Sequence, residues 1–163
     1  MEVSKDFINT TELVEFPIET RFLKLPFNNL LKVHGIDPIA PQIALINAIN
    51  DPQIRFVVAA LSRRTGKTFI ANLIAHAILL MPGSVVLVMA PNYSLASISW
   101  DEQQKIIKKF GIEVTRANAK DRVLELANGS VLKIGSITQA DSVVGRSYDL
   151  ILFDECALDK NGK

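Results

Sequence analysis

Residues 55–68, "RFVVAALSRRTGKT", run directly into "FIANLIAHAILLM", and no other stretch of the chain restricts its fold so tightly. "RFVVAAL" is short, β-branched and continuously apolar, the pattern of a strand buried on both faces. "GKTFIANLIAHAILLM" is long, rich in Ala, Leu and Ile, and halted by Pro82-Gly83, which predicts a helix. "SVVLVMA" repeats the buried-strand pattern. Strand, loop, helix and strand in that order predict a βαβ unit, the crossover that parallel strands require.

The loop inside this unit departs at one place from G-x-x-x-x-G-K-[ST]. Gly66, Lys67 and Thr68 keep the pattern, while Leu61 stands where the first glycine belongs. That glycine matters only where the backbone takes a positive φ or approaches a ligand closely, so Leu61 is tolerated where the turn has a negative φ. Ser62, Arg63, Arg64 and Thr65 complete the loop. Its N–H groups, backed by a helix N-terminus, would cradle an anion. Lys67 is then placed for the β- and γ-phosphates of a nucleotide and the Thr68 hydroxyl for Mg2+.

A second motif supplies the acid that such a site needs. "LILFDE" is four apolar residues followed by Asp154 and Glu155, a buried strand with a charged carboxyl end. Ligands of parallel sheets bind at the carboxyl ends of strands, so Lys67 and Asp154 are expected to converge despite their separation in sequence. Asp154 would hold the metal and its water, and Glu155 would orient or deprotonate the attacking water. Taken singly, "GKT" is also a surface turn entering a helix and "DE" a solvated strand end. Their order and their common placement after strands favour a nucleotide site with Mg2+.

The remaining chain fills in the architecture. Residues 1–35 contain Pro17 and Pro26 and no sustained period, and read as an arm with a short helical piece near "FNNLLKV". From residue 36 to 163 the pattern is that of one α/β domain. "IAPQIALINAIN" predicts a helix of about three turns closed by "NDP". "SLASISWDEQQKIIKKF" is amphipathic, with Ile98, Ile106 and Phe110 on one side and Gly111 at its end. "RVLELANGSVLKIGS" alternates around Asn128-Gly129, the signature of a hairpin with a two-residue turn. Strands alternating with helices predict a P-loop NTPase-type, mostly parallel sheet with helices on both faces.

Charge and cysteine usage narrow the partners. With 18 basic and 17 acidic side chains the formal charge is +1, so no overall basic field marks a nucleic-acid binder. Contact with DNA would need a local patch, and Lys105, Lys108, Lys109, Arg116, Lys120 and Arg122 form only a loose group. The single cysteine, Cys156, cannot form an internal disulfide, and no Cys/His spacing suggests zinc. His34 and His76 read as structural. No apolar run reaches the ~18 to 20 residues that span a bilayer, and the start lacks a secretory layout, so a cytosolic protein without membrane contact is expected.

In their order, these residues resemble the large terminase subunits of tailed bacteriophages, ATPases that pump double-stranded DNA into empty capsids. Many members have a P-loop with its first glycine replaced and arginine at its centre, as in "LSRRTGKT". "LILFDECAL" resembles their acidic strand, "GSVVLVMAPNYSLASISW" the segment after the P-loop helix, and "ELANGSVLKIGS" the hairpin before "VVGRSYDL". The similarity runs from about residue 36 to 159. It implies that the nucleotide is ATP, that Arg63 contacts the γ-phosphate, with Arg64 as the alternative, and that Gln42 meets the adenine edge, since an amide both donates and accepts. It also implies that Arg146 reaches the ATP of a neighbouring subunit in a homo-oligomeric ring, as a finger in trans.

Partners implied by the resemblance are a portal protein and a small terminase subunit, at the procapsid portal in the host cytoplasm. In the family, further strands and an RNase H-like nuclease follow the acidic strand. Because this chain stops at Lys163, the expectation is a partial ATPase domain without its C-terminal strands or nuclease, with full activity in doubt. The nearest rival is a P-loop DNA helicase or translocase. Those enzymes usually write DE-x-[HD], whereas Cys156-Ala157 follow Glu155 here. A fragment that binds ATP without turning it over is the other alternative.

Overall fold

The computed structural model describes residues 30–32, 35–62, 64–143 and 145–155. Of the expected N-terminal arm this includes a helical piece at 30–32, whose Leu30 and Leu31 are buried in the core. Apart from Gly35, the rest of that arm, His34 included, lies outside the described residues, as do Arg63 and Cys156.

Three helices follow from local chemistry. Helix α1 (Ala40–Asn50) begins after Ile39, which is extended at φ −76° and ψ 159°, and has proline in its first turn, where a missing N–H is harmless. Helix α2 (Lys67–Leu79) is entered through Gly66 in the left-handed region, φ 72°. Apart from its first turn and Ala71 it is buried all along, the behaviour of a helix that is apolar nearly all round. Helix α3 (Tyr93–Phe110) starts at Asn92, whose side chain accepts the Leu95 N–H, and ends at Gly111, φ 64°.

Five strands, β1 (Val85–Ala90), β2 (Val114–Asn118), β3 (Val123–Leu126), β4 (Val131–Ser136) and β5 (Leu150–Phe153), form one sheet in the order β2-β3-β4-β1-β5. β1 pairs in parallel with both β4 and β5, while β2–β3 and β3–β4 are antiparallel. Four strands therefore point one way and β3 alone is reversed. This is the expected mostly parallel sheet, its parallel crossover running from β1 through α3 to β4.

Alternation along β1 divides the core. Val86, Val88 and Ala90 face α2 and α3 and join Leu73, Ile74, Leu132 and Ile134 in the main cluster. Leu87 and Met89 face the other way, beneath Val143, Ile137 and Tyr148, where a 3-10 helix (Ile137–Ser142) gives thinner cover. Helical cover is thus present on both faces but unequal. No helix among the described residues is long and apolar enough to cross a membrane.

Two expectations are corrected. "RFVVAAL" is not a buried strand: residues 54–60 have no regular structure and all are exposed, Phe56 at 79% and Val58 at 78%. A strand is held by its neighbours, and no described strand borders this segment. β5 is the sheet edge on that side, and a cleft of about 1500 Å³, walled by Ile74 and Ile78 of α2, lies between it and the segment. The βαβ unit read from the sequence therefore lacks its first strand. The hairpin at Asn128-Gly129 is present, but with a longer turn. Leu126 and Ser130 are the last bonded pair, and Gly129, at φ 81°, donates to the Leu126 carbonyl, so three residues make the loop.

Candidate functional site

The loop before α2 is shaped by its own hydrogen bonds. The Thr65 hydroxyl donates to the Ser62 carbonyl at 2.8 Å, and the Ile70 N–H meets the Gly66 carbonyl at 2.9 Å to start the helix. Leu61 does not take a positive φ, which is why a side chain is tolerated there; the left-handed positions are Arg64, φ 65°, and Gly66. Lys67 is the first residue of α2, so its side chain leaves from the end of the helix where backbone N–H groups are unpaired and the dipole is positive.

The acidic pair arrives from β5. The Asp154 N–H donates to the Met89 carbonyl at 2.9 Å, extending the β1–β5 ladder by one bond and fixing Asp154 at the carboxyl end of the strand. Glu155 then turns into the left-handed region, φ 55°, a conformation that disfavours any residue with a Cβ. Its Oε1 lies 2.6 Å from Lys67 Nζ, and both side chains are a little over a quarter exposed. Loop and acidic strand thus meet, as the two motifs predicted, in a cavity of about 430 Å³. Gly66, Lys67, Thr68, Asp154 and Glu155 all line it, and so does Arg64.

The donor set suits Mg2+. Asp154 and Thr68 offer hard oxygens beside a cavity, and Mg2+ is usually held by one or two carboxylates together with substrate phosphates and water. Among the described residues no three His, Cys, Asp or Glu side chains form a separate metal cluster.

Other expected residues fall further away. Gln42 lines neither this cavity nor the larger cleft; it is buried behind the loop, with its amide on the backbone of Thr65 and Ile39. Arg146 is exposed and likewise absent from both linings. The loose basic group is not one patch. Lys105 donates to Glu102, which raises its pKa, and Arg116 pairs with Glu125. Arg122 is buried, stacked 3.4 Å over the Tyr93 ring and bonded to the Tyr93 carbonyl and Ser97 Oγ.

Sequence reading missed the apolar wall. Phe69, Leu95 and Ile98 line the cavity, and Ile98, 49% exposed, faces it instead of joining Ile106 in the core. The available signal was position, because α3 starts just past the carboxyl end of β1 and must present its first turns beside any ligand held there.

A phosphate-type loop at the start of α2 and an acidic carboxyl end on β5, converging beside a mostly parallel sheet, define the class: an α/β domain of the P-loop NTPase type. The family model for "Terminase large subunit, T4likevirus-type, N-terminal" matches residues 58–163, and the chain belongs to that family. The terminase large subunit of Escherichia phage T5 is 52% identical over 162 residues, which is 99% of this chain and 37% of that relative. The chain thus spans a little over a third of the relative's length. Among solved structures, the large terminase ATPase domain of Thermus phage P74-26 matches with a TM-score of 0.59 and 19% identity, covering 80% of this chain and 58% of that one. A mutant of the same domain matches with a TM-score of 0.61 and 20% identity, covering 83% and 60%. At that identity the likeness shows the fold.

Proposed function

We propose that this chain is the ATP-binding and ATP-hydrolysing part of a viral DNA-packaging terminase, which drives double-stranded DNA into a procapsid. The observation that carries the reading is the meeting of Lys67, at the start of α2, with Glu155, at the end of β5, in one cavity also lined by Thr68 and Asp154. Residues so far apart in sequence, with these chemistries, converge where an anion and a metal would sit. The P74-26 domain that shares the fold is named for ATPase activity, and the phage T5 relative is a terminase large subunit.

In this reading the loop N–H groups and Lys67 take the β- and γ-phosphates, and Thr68 and Asp154 hold Mg2+. When bound, Mg2+ neutralises charge on the phosphates. Phosphate competes with Glu155 for the Lys67 ammonium, and the displaced carboxylate is free to orient or deprotonate water. Arg64, on the cavity wall, and Arg63 are the candidates for neutralising the transferred phosphoryl group, while Arg146 serves the neighbouring subunit's site in a homo-oligomeric ring. The partners would be double-stranded DNA, a portal protein and a small terminase subunit, in the cytoplasm of the infected host.

The test is binding and turnover of Mg-ATP by the wild-type chain and by Lys67→Ala. Binding by the wild type that weakens at least tenfold in the variant is expected. No binding by the wild type, or equal binding by both, would remove the nucleotide site from consideration.

A further inference from the structure

We propose that Gln42 is a positioning residue that sets the shape of the phosphate loop, and so governs affinity for the polyphosphate whatever base is attached. The inference rests on the nucleotide-site reading above. Gln42 is 8% exposed, at the third position of α1. Its Oε1 accepts the Ile39 N–H at 3.1 Å, and its Nε2 donates to the Thr65 carbonyl at 2.7 Å. One planar amide therefore ties the start of α1 to the residue before Gly66. Only a side chain with a donor and an acceptor side by side can make both bonds, and among the twenty residues Asn and Gln are the neutral ones that present them as a flat pair.

The bond to Thr65 acts on the loop through peptide geometry. The Thr65 carbonyl and the Gly66 N–H belong to one planar trans unit and point in opposite directions, so holding the carbonyl fixes where that N–H is aimed. Gly66 lines the cavity, and its N–H is among the donors a phosphate would meet. The contact is also close. A Cβ on Gly66 would come within 3.0 Å of Gln42 Nε2, so the amide packs directly against the glycine, which at φ 72° already disfavours a side chain. A residue reading a base would face the ligand space; Gln42 stands behind the loop, with both ends of its amide on backbone.

Calorimetric titration of the intact chain with Mg-ATP, Mg-GTP and inorganic tripolyphosphate separates the roles. Gln42→Glu retains side-chain length and the acceptor for Ile39 but loses the donor to Thr65. It should weaken all three ligands by a similar factor of about tenfold, the scale of one hydrogen bond lost with its acceptor left unpaired. Gln42→Met, uncharged and of similar volume, should do the same, and it keeps the test decisive if the new carboxylate impairs folding. Amide exchange at Gly66–Thr68 should quicken in both variants while that of β1 is unchanged, which a role confined to the stability of α1 would not produce.

Loss of ATP affinity with tripolyphosphate unaffected would make Gln42 a base reader and overturn the proposal. Unchanged affinity for all three ligands in folded variants would overturn it equally. If wild-type protein bound neither nucleotide nor tripolyphosphate, the nucleotide-site reading itself would fall, and this inference with it.

Discussion

Glu155 occupies a left-handed backbone conformation costing about 1 kcal/mol for an ordinary residue, and Lys67 holds it there from 2.6 Å. The pairing gives one substitution two opposed effects. Glu155→Gln removes the carboxylate that competes with phosphate for the ammonium, so ADP and ATP should bind several-fold more tightly, as read by calorimetry. The same change removes the proposed base, so in a protein that turns ATP over, hydrolysis should fall by ~10² to 10⁴. Weaker binding, or near-normal turnover, would detach Glu155 from these roles. At Gly66 the expected effect is on stability. Gly66→Ala must place a Cβ at φ 72° and 3.0 Å from Gln42 Nε2, and should lower unfolding free energy by about 1 to 2 kcal/mol in a denaturant titration. That Lys67, Thr68, Asp154 and Glu155 would come together was legible because residue type and spacing carry the two motifs. That Lys67 would rest on Glu155 was not, since the contact depends on φ at one residue and on two side-chain rotamers. Gln42 was singled out only for the adenine edge that the resemblance implied; the direction in which its amide faces, onto the Thr65 and Ile39 backbone, is a property of packing.

Helices α2 and α3 are joined by more than apolar contact. Gln103, fully buried on α3, donates to the carbonyl and the side-chain oxygen of Asn72 on α2 at 2.7 and 3.2 Å. Asn72 in turn donates to the Thr68 carbonyl at 2.8 Å, in the first turn after the loop, and to Ser99 Oγ at 3.4 Å. The network fixes how α3 is rotated against α2, and with it where Leu95 and Ile98 stand in the cavity wall. Gln103→Leu leaves a buried amide short of partners, and Asn72→Leu does the reverse; each should cost about 1 to 3 kcal/mol. The double variant should cost less than the sum of the two by about 1 kcal/mol, since both remove one network, and denaturation midpoints of the four proteins measure the difference. The C-terminal end of α3 was readable because it is local: Gly111 takes the left-handed turn. The strand expected at residues 55–61 was misread for the opposite reason. β-branched apolar residues favour a pleated, covered surface, but they do not supply the neighbouring strand that does the covering.

At the scale of the whole molecule, the sheet order β2-β3-β4-β1-β5 could be inferred from sequence only as a class, because pairing joins residues as distant as Val86 and Leu150. Arg146 belongs to this scale too. It is exposed, follows Gly145 at φ 81°, and among the described residues makes no hydrogen bond or ion pair. If it serves a neighbouring copy, Arg146→Ala should leave the ATP affinity of the isolated chain unchanged and depress turnover of the assembled full-length ring. Mixed rings of Arg146→Ala and Glu155→Gln subunits should then regain activity at interfaces that pair an intact arginine with an intact glutamate. Failure to regain it, with assembly confirmed, would place the arginine elsewhere. The side of the molecule around β5 has a practical consequence. Phe56 and Val58 on the irregular segment, and Ile151 and Phe153 on the strand at the edge of the described sheet, present apolar, β-prone surface to water. Stored as a pure solution, the polypeptide should cloud with time and concentration while its melting temperature stays the same, and lysines at positions 56 and 153 should keep it clear. Shelf life would then be limited by a few side chains of the cleft beside β5.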